Sequence, residues 1–189
     1  YEIMPSLVGL GDVYKRQVLG LPEAIRGQKD WGEIDGREMD FSKEEDQIAA
    51  TKWYIGELVE RFKAAKYKHL ELSGFYWVAE DTHHCAELTI PLSEYIHSEG
   101  KLFYWIPYWQ AKGHEEWKRL GFDVAYQQPN HFFNHSIPDS RLDEACATAR
   151  RHGMAMEFEF DEKATAAIPN SSHDRMAAYI NPVSYTHLT

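Results

Sequence analysis

The sequence predicts an α/β fold, in the form of a partial (β/α) TIM-type barrel with parallel strands alternating with helices. Three observations predict it. A unit of helix, closing glycine, strand and polar or aromatic loop recurs along the chain, and strands separated by helices in this way pair in parallel. None of the strands is followed by the glycine-rich phosphate turn expected of a doubly wound sheet. Acids and aromatics gather where each strand ends, and in a barrel those ends form the active-site face. A complete barrel typically takes about 250 residues, so a chain of this length supplies part of one.

The two ends are set aside first. Residues 1–17 and 182–189 resemble translated sequencing-adapter sequence and are expected to be non-native, leaving 18–181 as a fragment of a single barrel domain. From Val18 to Phe41 the sequence has no clear period and reads as loop. Within it, Glu33, Asp35 and Gly36 faintly resemble a calcium loop. Trp31 and Ser42 occupy the positions of that loop's first and last acidic ligands, which argues against calcium.

Ser42 to Glu45 reads as a capping box, with the serine hydroxyl and Glu45 satisfying early backbone amides. Ile48, Ile55, Leu58, Val59 and Phe62 then recur at helical spacing to about Lys66. His69 to Trp77 alternates as a strand and leads into a loop carrying Glu80, Asp81, His83 and His84. Pro91 to Ser98 reads as a helix closed by Gly100, followed by strand Lys101 to Ile106. Gly113 to Leu120 reads as a helix closed by Gly121, followed by strand Phe122 to Tyr126. Ser140 to His152 is a helix whose stripe is Leu142, Ala145, Cys146 and Ala149, closed by Gly153. Strict alternation from Met154 to Asp161 then predicts a strand with Glu157 and Glu159 on one face and Met154, Met156, Phe158 and Phe160 packed on the other. A wet edge strand is the simpler reading of that alternation taken by itself. Ser171 to Ile180 begins one more helix.

The formal net charge of −10 argues against a nucleic-acid partner, because phosphate binding needs clustered Lys and Arg. No apolar run is long enough to span a bilayer. Cys85 and Cys146 are the two cysteines; Cys146 lies on a helical apolar stripe and reads as a core thiol, and the sequence leaves a disulfide between the two open. His83, His84 and Cys85 lack zinc-type spacing and read as a solvated loop, so neither a metal nor a cofactor is expected.

The strand ends supply the candidates for chemistry. Glu80, Glu157 and Glu159 are the candidate catalytic carboxylates; Trp105, Trp109, Gln128, Asn130 and Asp161 are the candidate substrate-binding residues. Aromatic faces cover the apolar face of a sugar ring, amides and acids bind its hydroxyls, and paired carboxylates run glycoside hydrolysis as acid and nucleophile or base. The aromatics also read as ordinary core.

Leu70 to Glu80, Phe103 to Tyr108, Leu120 to Asp123, Gln128 to Phe133 and Met156 to Asp161 together resemble a bacterial family catalogued as domain of unknown function 4855. The resemblance runs roughly from Gly32 to Tyr179. It implies a protein longer than this chain, an extracytoplasmic or cell-surface setting and a glycan context. Two expectations follow: a glycoside-hydrolase-like domain acting on a glycan or polysaccharide, or a non-catalytic glycan-binding or surface-structural module on the same scaffold.

Overall fold

The structure, a computed structural model, describes residues 15–83, 85–167 and 171–186. Strands β1 (Lys15–Leu21), β4 (Leu70–Trp77), β5 (Leu102–Trp105), β6 (Val124–Gln127) and β7 (Ala155–Met156) form one parallel sheet in the order β1-β4-β5-β6-β7. Helices α1 (Glu44–Ala65), α2 (Ala86–Ser98) and α3 (Ser140–His152) connect them, and α4 (His173–Thr186) follows. A short antiparallel hairpin, β2 (Glu33–Ile34) with β3 (Arg37–Glu38), stands apart from the sheet.

The strand order follows the chain. With crossovers of one hand, successive helices fall on one face of the sheet. The main core shows this directly: Leu72, Phe75, Trp77, Phe103, Trp105 and Ala125 from the strands meet Ile55, Val59, Leu88, Leu92, Ile96 and Ala149 from α1, α2 and α3. Each Phe, Leu or Ile sequestered there contributes roughly 1.5–3 kcal/mol. The opposite face carries the half-buried Tyr76, Tyr104, Val124 and Tyr126, and no helix of the described residues covers it. The sheet is open, with β1 and β7 as its edges, and no closed barrel forms among the described residues.

The sheet is tightest at Gly74. A Cβ there would stand 2.1 Å from the Leu102 carbonyl oxygen and 2.7 Å from the Tyr104 ring, so only glycine lets β4 and β5 approach so closely. Next to it the β1–β4 register slips: Gln17 faces Leu72 and Val18 faces Gly74. Ser73 is thereby left opposite no residue, as in a β-bulge, and its hydroxyl lies 3.1 Å from Tyr104 Oη.

Several elements differ from the sequence reading. The stretch read as loop from Val18 contains most of β1, and β1 begins at Lys15, inside the segment set aside. Its burial alternates weakly because it is an edge strand. Asp35 and Gly36, at φ 52° and 76°, form the two-residue turn of the β2–β3 hairpin, where positive φ at both positions matches the strand twist. The capping box at Ser42 does not form. Helix α1 starts after Lys43 without a side-chain cap; the carboxylate of buried Asp46 instead accepts the Asp40 amide at 3.0 Å and pairs with Arg37, tying the hairpin to the helix. Gly113 to Leu120 holds only a 3-10 turn, His114–Glu116; Trp117 and Leu120 still bury in the core, but a segment this short repays little of the cost of starting an α-helix. Helix α2 begins at Ala86 and includes Pro91. Cys85 and Cys146 are both free thiols, and burial pushes Cys85 up to about 11. His84 lies outside the described residues. No helix of the described residues is long and apolar enough to cross a membrane.

Candidate functional site

At the carboxyl ends of the strands lies a cleft of about 450 Å³. Glu80 reaches it from the loop after β4, Gln128 and Asn130 from the loop after β6, and Glu157 and Glu159 from the segment after β7. This is the end of a parallel sheet at which ligands ordinarily bind, because every loop there belongs to a different strand and their side chains converge.

The alternation after Gly153 places the two glutamates together, by a geometry other than a long strand. The residue at the helix end, Gly153 at φ 67°, turns the chain out of α3, and the ladder to β6 stops at Met156. One further bond, Glu157 N–H to Gln127 O at 3.0 Å, carries the backbone just past the sheet. Glu157 therefore falls on the uncovered face, half-buried, and Glu159 is 7% exposed. Phe158 and Phe160 do not pack on the helix side as expected. They are 41% and 55% exposed and border the cleft, since the strand that would have turned them inward has already ended.

Glu159 is fully engaged. Its Oε2 accepts the His131 backbone N–H at 3.0 Å and the Tyr179 hydroxyl at 3.0 Å, and its Oε1 accepts Gln128 Nε2 at 3.3 Å. Donors of this kind suit an ionised carboxylate. The loop supplying them is braced in turn: Arg175 of α4 donates to the carbonyls of His131, Asn134 and Ile137, and the buried His131 ring meets Asp139 at 2.9 Å. Burial holds the His131 imidazole below its ordinary value, against the opposing pull of Asp139. Burial likewise raises the Tyr179 phenol, helped by the charge of Glu159 and the bond to it.

Glu157 is the opposite case. Its Oε2 is buried without a hydrogen-bond partner. Desolvation, then the charges of Glu159 and Glu80, push its carboxyl up to about 7. Glu80, at the open rim, is raised by desolvation and then by Glu159. Tyr76, on the floor, is pushed up to about 12 by burial and by Glu80 and Glu157. Removing a carboxylate from water disfavours its charge, and neighbouring negative charge adds to the effect.

Three of the expected binding residues sit elsewhere. Trp105 is fully buried on the helix side, its indole N–H donating to Ala79 O at 2.8 Å and its ring stacked 4.9 Å from Phe122. It is core, because its parity along β5 points it away from the uncovered face. Trp109 receives the Arg141 guanidinium over its ring at 4.8 Å, and its backbone N–H donates to Asn130 Oδ1 at 2.6 Å. It braces Asn130 and does not border the cleft. Asp161 caps the 3-10 turn Glu162–Ala164 by accepting the Lys163 amide at 2.9 Å. Residues the sequence reading passed over include Tyr76, Phe133 and Asn134 in the lining and His131, Arg175 and Tyr179 behind it. Tyr76 was legible from its parity with Tyr104 across the sheet. The α4 residues carry no local signal, since their role depends on where the helix returns.

Fold and site define a class: an α/β protein with a singly wound parallel sheet and a carboxyl-rich cleft at the strand ends. Nothing in that arrangement is specific to one activity. The chain belongs to the family described as Domain of unknown function (DUF4855), whose model matches residues 6–188. Comparison with curated proteins and with solved structures gave no match.

Proposed function

We propose that the chain is part of a glycoside-hydrolase-like (β/α) barrel acting on a glycan, with Glu157 as general acid and Glu159 or Glu80 as nucleophile or base. The observation that carries this reading is the contrast between two neighbouring carboxyls. Glu157 is desolvated, partnerless and raised to about 7, whereas Glu159 is held by three donors. Pairs of acids driven apart by their surroundings are how a glycosidase keeps a proton donor and an ionised carboxylate in one site. Glu157 would protonate the leaving glycosidic oxygen as that bond breaks, and the ionised partner would either attack the anomeric carbon or activate a water.

The barrel is supported by the sequential strand order with helices on one face, which is the winding of a (β/α) barrel and not of a doubly wound sheet. The exposed Phe133, Phe158 and Phe160 around the cleft suit the apolar face of a sugar ring. An extracytoplasmic or cell-surface setting belongs to the same proposal.

Reducing-sugar release from a glycan panel tests it. Glu157→Gln is expected to lower cleavage by about 10²-fold or more, with Glu159→Gln and Glu80→Gln also impaired. Cleavage intact in all three variants would overturn the assignment. Calorimetric binding with no turnover by the unmutated protein would favour a non-catalytic glycan-binding module.

A further inference from the structure

The charge balance of the cleft carries an inference about its ligand, resting on the glycan reading above. Three carboxyls reach it, and no lysine, arginine or histidine is among its described lining residues. Two guanidinium groups that meet the loop after β6 are committed elsewhere: Arg141 lies over Trp109 and bonds Pro129 O, and Arg175 is buried against backbone carbonyls. Neither the Glu80 nor the Glu157 side chain receives a hydrogen bond or ion pair from any described residue, and Glu157 Oε2 is buried without one. Glu159 has its three internal donors, but the described residues leave the Glu80 and Glu157 side chains uncompensated, a costly arrangement unless a ligand completes it.

The aromatic lining points the same way. Phe133, Phe158 and Phe160 are 63%, 41% and 55% exposed, and with Tyr76 they surround the carboxyls. Aromatic faces beside carboxylates attract ammonium groups through the ring quadrupole as well as through charge. The side-chain amides contribute differently. Asn130 Oδ1 and Asn134 Oδ1 already accept bonds from within the protein, from Trp109 N–H and from the Ser136 amide and hydroxyl, so what these two residues offer a ligand is N–H donors for its hydroxyls.

We propose that this cleft selects a glycan carrying free, protonated amines, an oligomer of hexosamine without N-acetyl groups, with the ammonium seated between Glu80 and the exposed phenylalanines, leaving Glu157 its proton for the glycosidic oxygen. A uronate would set like charge against Glu80 and Glu159, with no counter-cation among the described lining residues, a juxtaposition that costs affinity. A neutral sugar donates hydroxyls to Glu157 but leaves the negative charge unbalanced. The amine supplies both donor and charge.

Calorimetry with four probes tests the inference: oligomers of glucosamine, their N-acetylated counterparts, glucose oligomers and oligogalacturonate. The glucosamine oligomer is expected to bind about tenfold tighter than the N-acetylated and glucose oligomers, the increment of one moderately screened charge contact, and the margin should shrink with added salt. Glu80→Gln should narrow it further. Equal affinity for the N-acetylated or glucose oligomers overturns the amine inference while leaving a glycan site standing. So does tighter binding of oligogalacturonate, or a preference that survives in both Glu80→Gln and Glu157→Gln. If none of the four probes binds, the glycan reading falls with it.

Discussion

The Tyr179 hydroxyl donates to Glu159 Oε2 at 3.0 Å from a helix that lies beyond the last strand. Both residues are buried, at 1% and 7% exposure, so the bond is made out of water's reach. It joins α4 to the cleft directly, and the backbone of His131 meets the same oxygen from the other side.

Tyr179→Phe keeps the ring contacts with His131 and Phe158 and removes only this donor. A buried carboxylate deprived of one of its three hydrogen bonds costs about 1–3 kcal/mol. Urea unfolding should show that loss with an unchanged slope. A midpoint equal to the unmutated protein's would mean that the bond contributes nothing to stability.

Glu157 predicts a pH dependence of definite sign. Its carboxyl rises from 4.5 to about 7 on folding, so between those values the folded state binds more protons than the unfolded state. Its contribution to stability therefore falls as pH rises through that window and is at its least favourable above pH 7. Glu157→Gln removes the penalty. After discounting for screening on the cleft's open side, the variant should be more stable than the parent by about 1–2 kcal/mol above neutrality and nearly equal to it in acid. Thermal melts of both proteins across that range measure the difference, and parallel curves would contradict the shift.

Gly74→Ala tests the close approach of β4 and β5. With the Leu102 carbonyl 2.1 Å from the new methyl, backbone must move, and a cost of about 3 kcal/mol or more is expected. A soluble, cooperatively folded variant with an unchanged midpoint would refute the packing described.

Trp105→Phe separates core from site. Loss of the indole bond to Ala79 and of ring volume should lower stability by about 1–2 kcal/mol, with glycan affinity unaltered in titration calorimetry. A selective loss of affinity at full stability would return Trp105 to the cleft.

How much of this was legible in the sequence depended on whether the signal was local. The α1 stripe from Ile48 to Phe62 and the apolar positions of α3 are local, and both helices form where their periodicity places them. The meeting of Glu80, Gln128, Asn130, Glu157 and Glu159 was legible from topology, because parallel strands bring their following loops to one end. Facing was harder. Alternation from Met154 to Asp161 gave the correct side for the acids, but the ladder stops at Met156 and the phenylalanines turn outward. Trp105 failed for a related reason: standing at a strand end does not say which face a ring occupies, and its register opposite Trp77 does. Strand β1 is hard to read because an edge strand has a weak pattern and its first residues resemble adapter sequence. Arg175 and Tyr179 were beyond reach, since a helix surface reveals no partner until the chain's return path is known.

The order of the strands bears on how the chain acquires its structure. Each strand from β5 onward pairs with the one made just before it, so a growing chain finds each of these docking edges already in place. After the longer closure that joins β1 to β4, loop closure is shorter at each of these steps, which favours progressive folding from the amino end. The same order makes neighbouring units interdependent, as in a stacked array. Damage at the β4–β5 seam around Gly74 would thus be felt by every unit added after it.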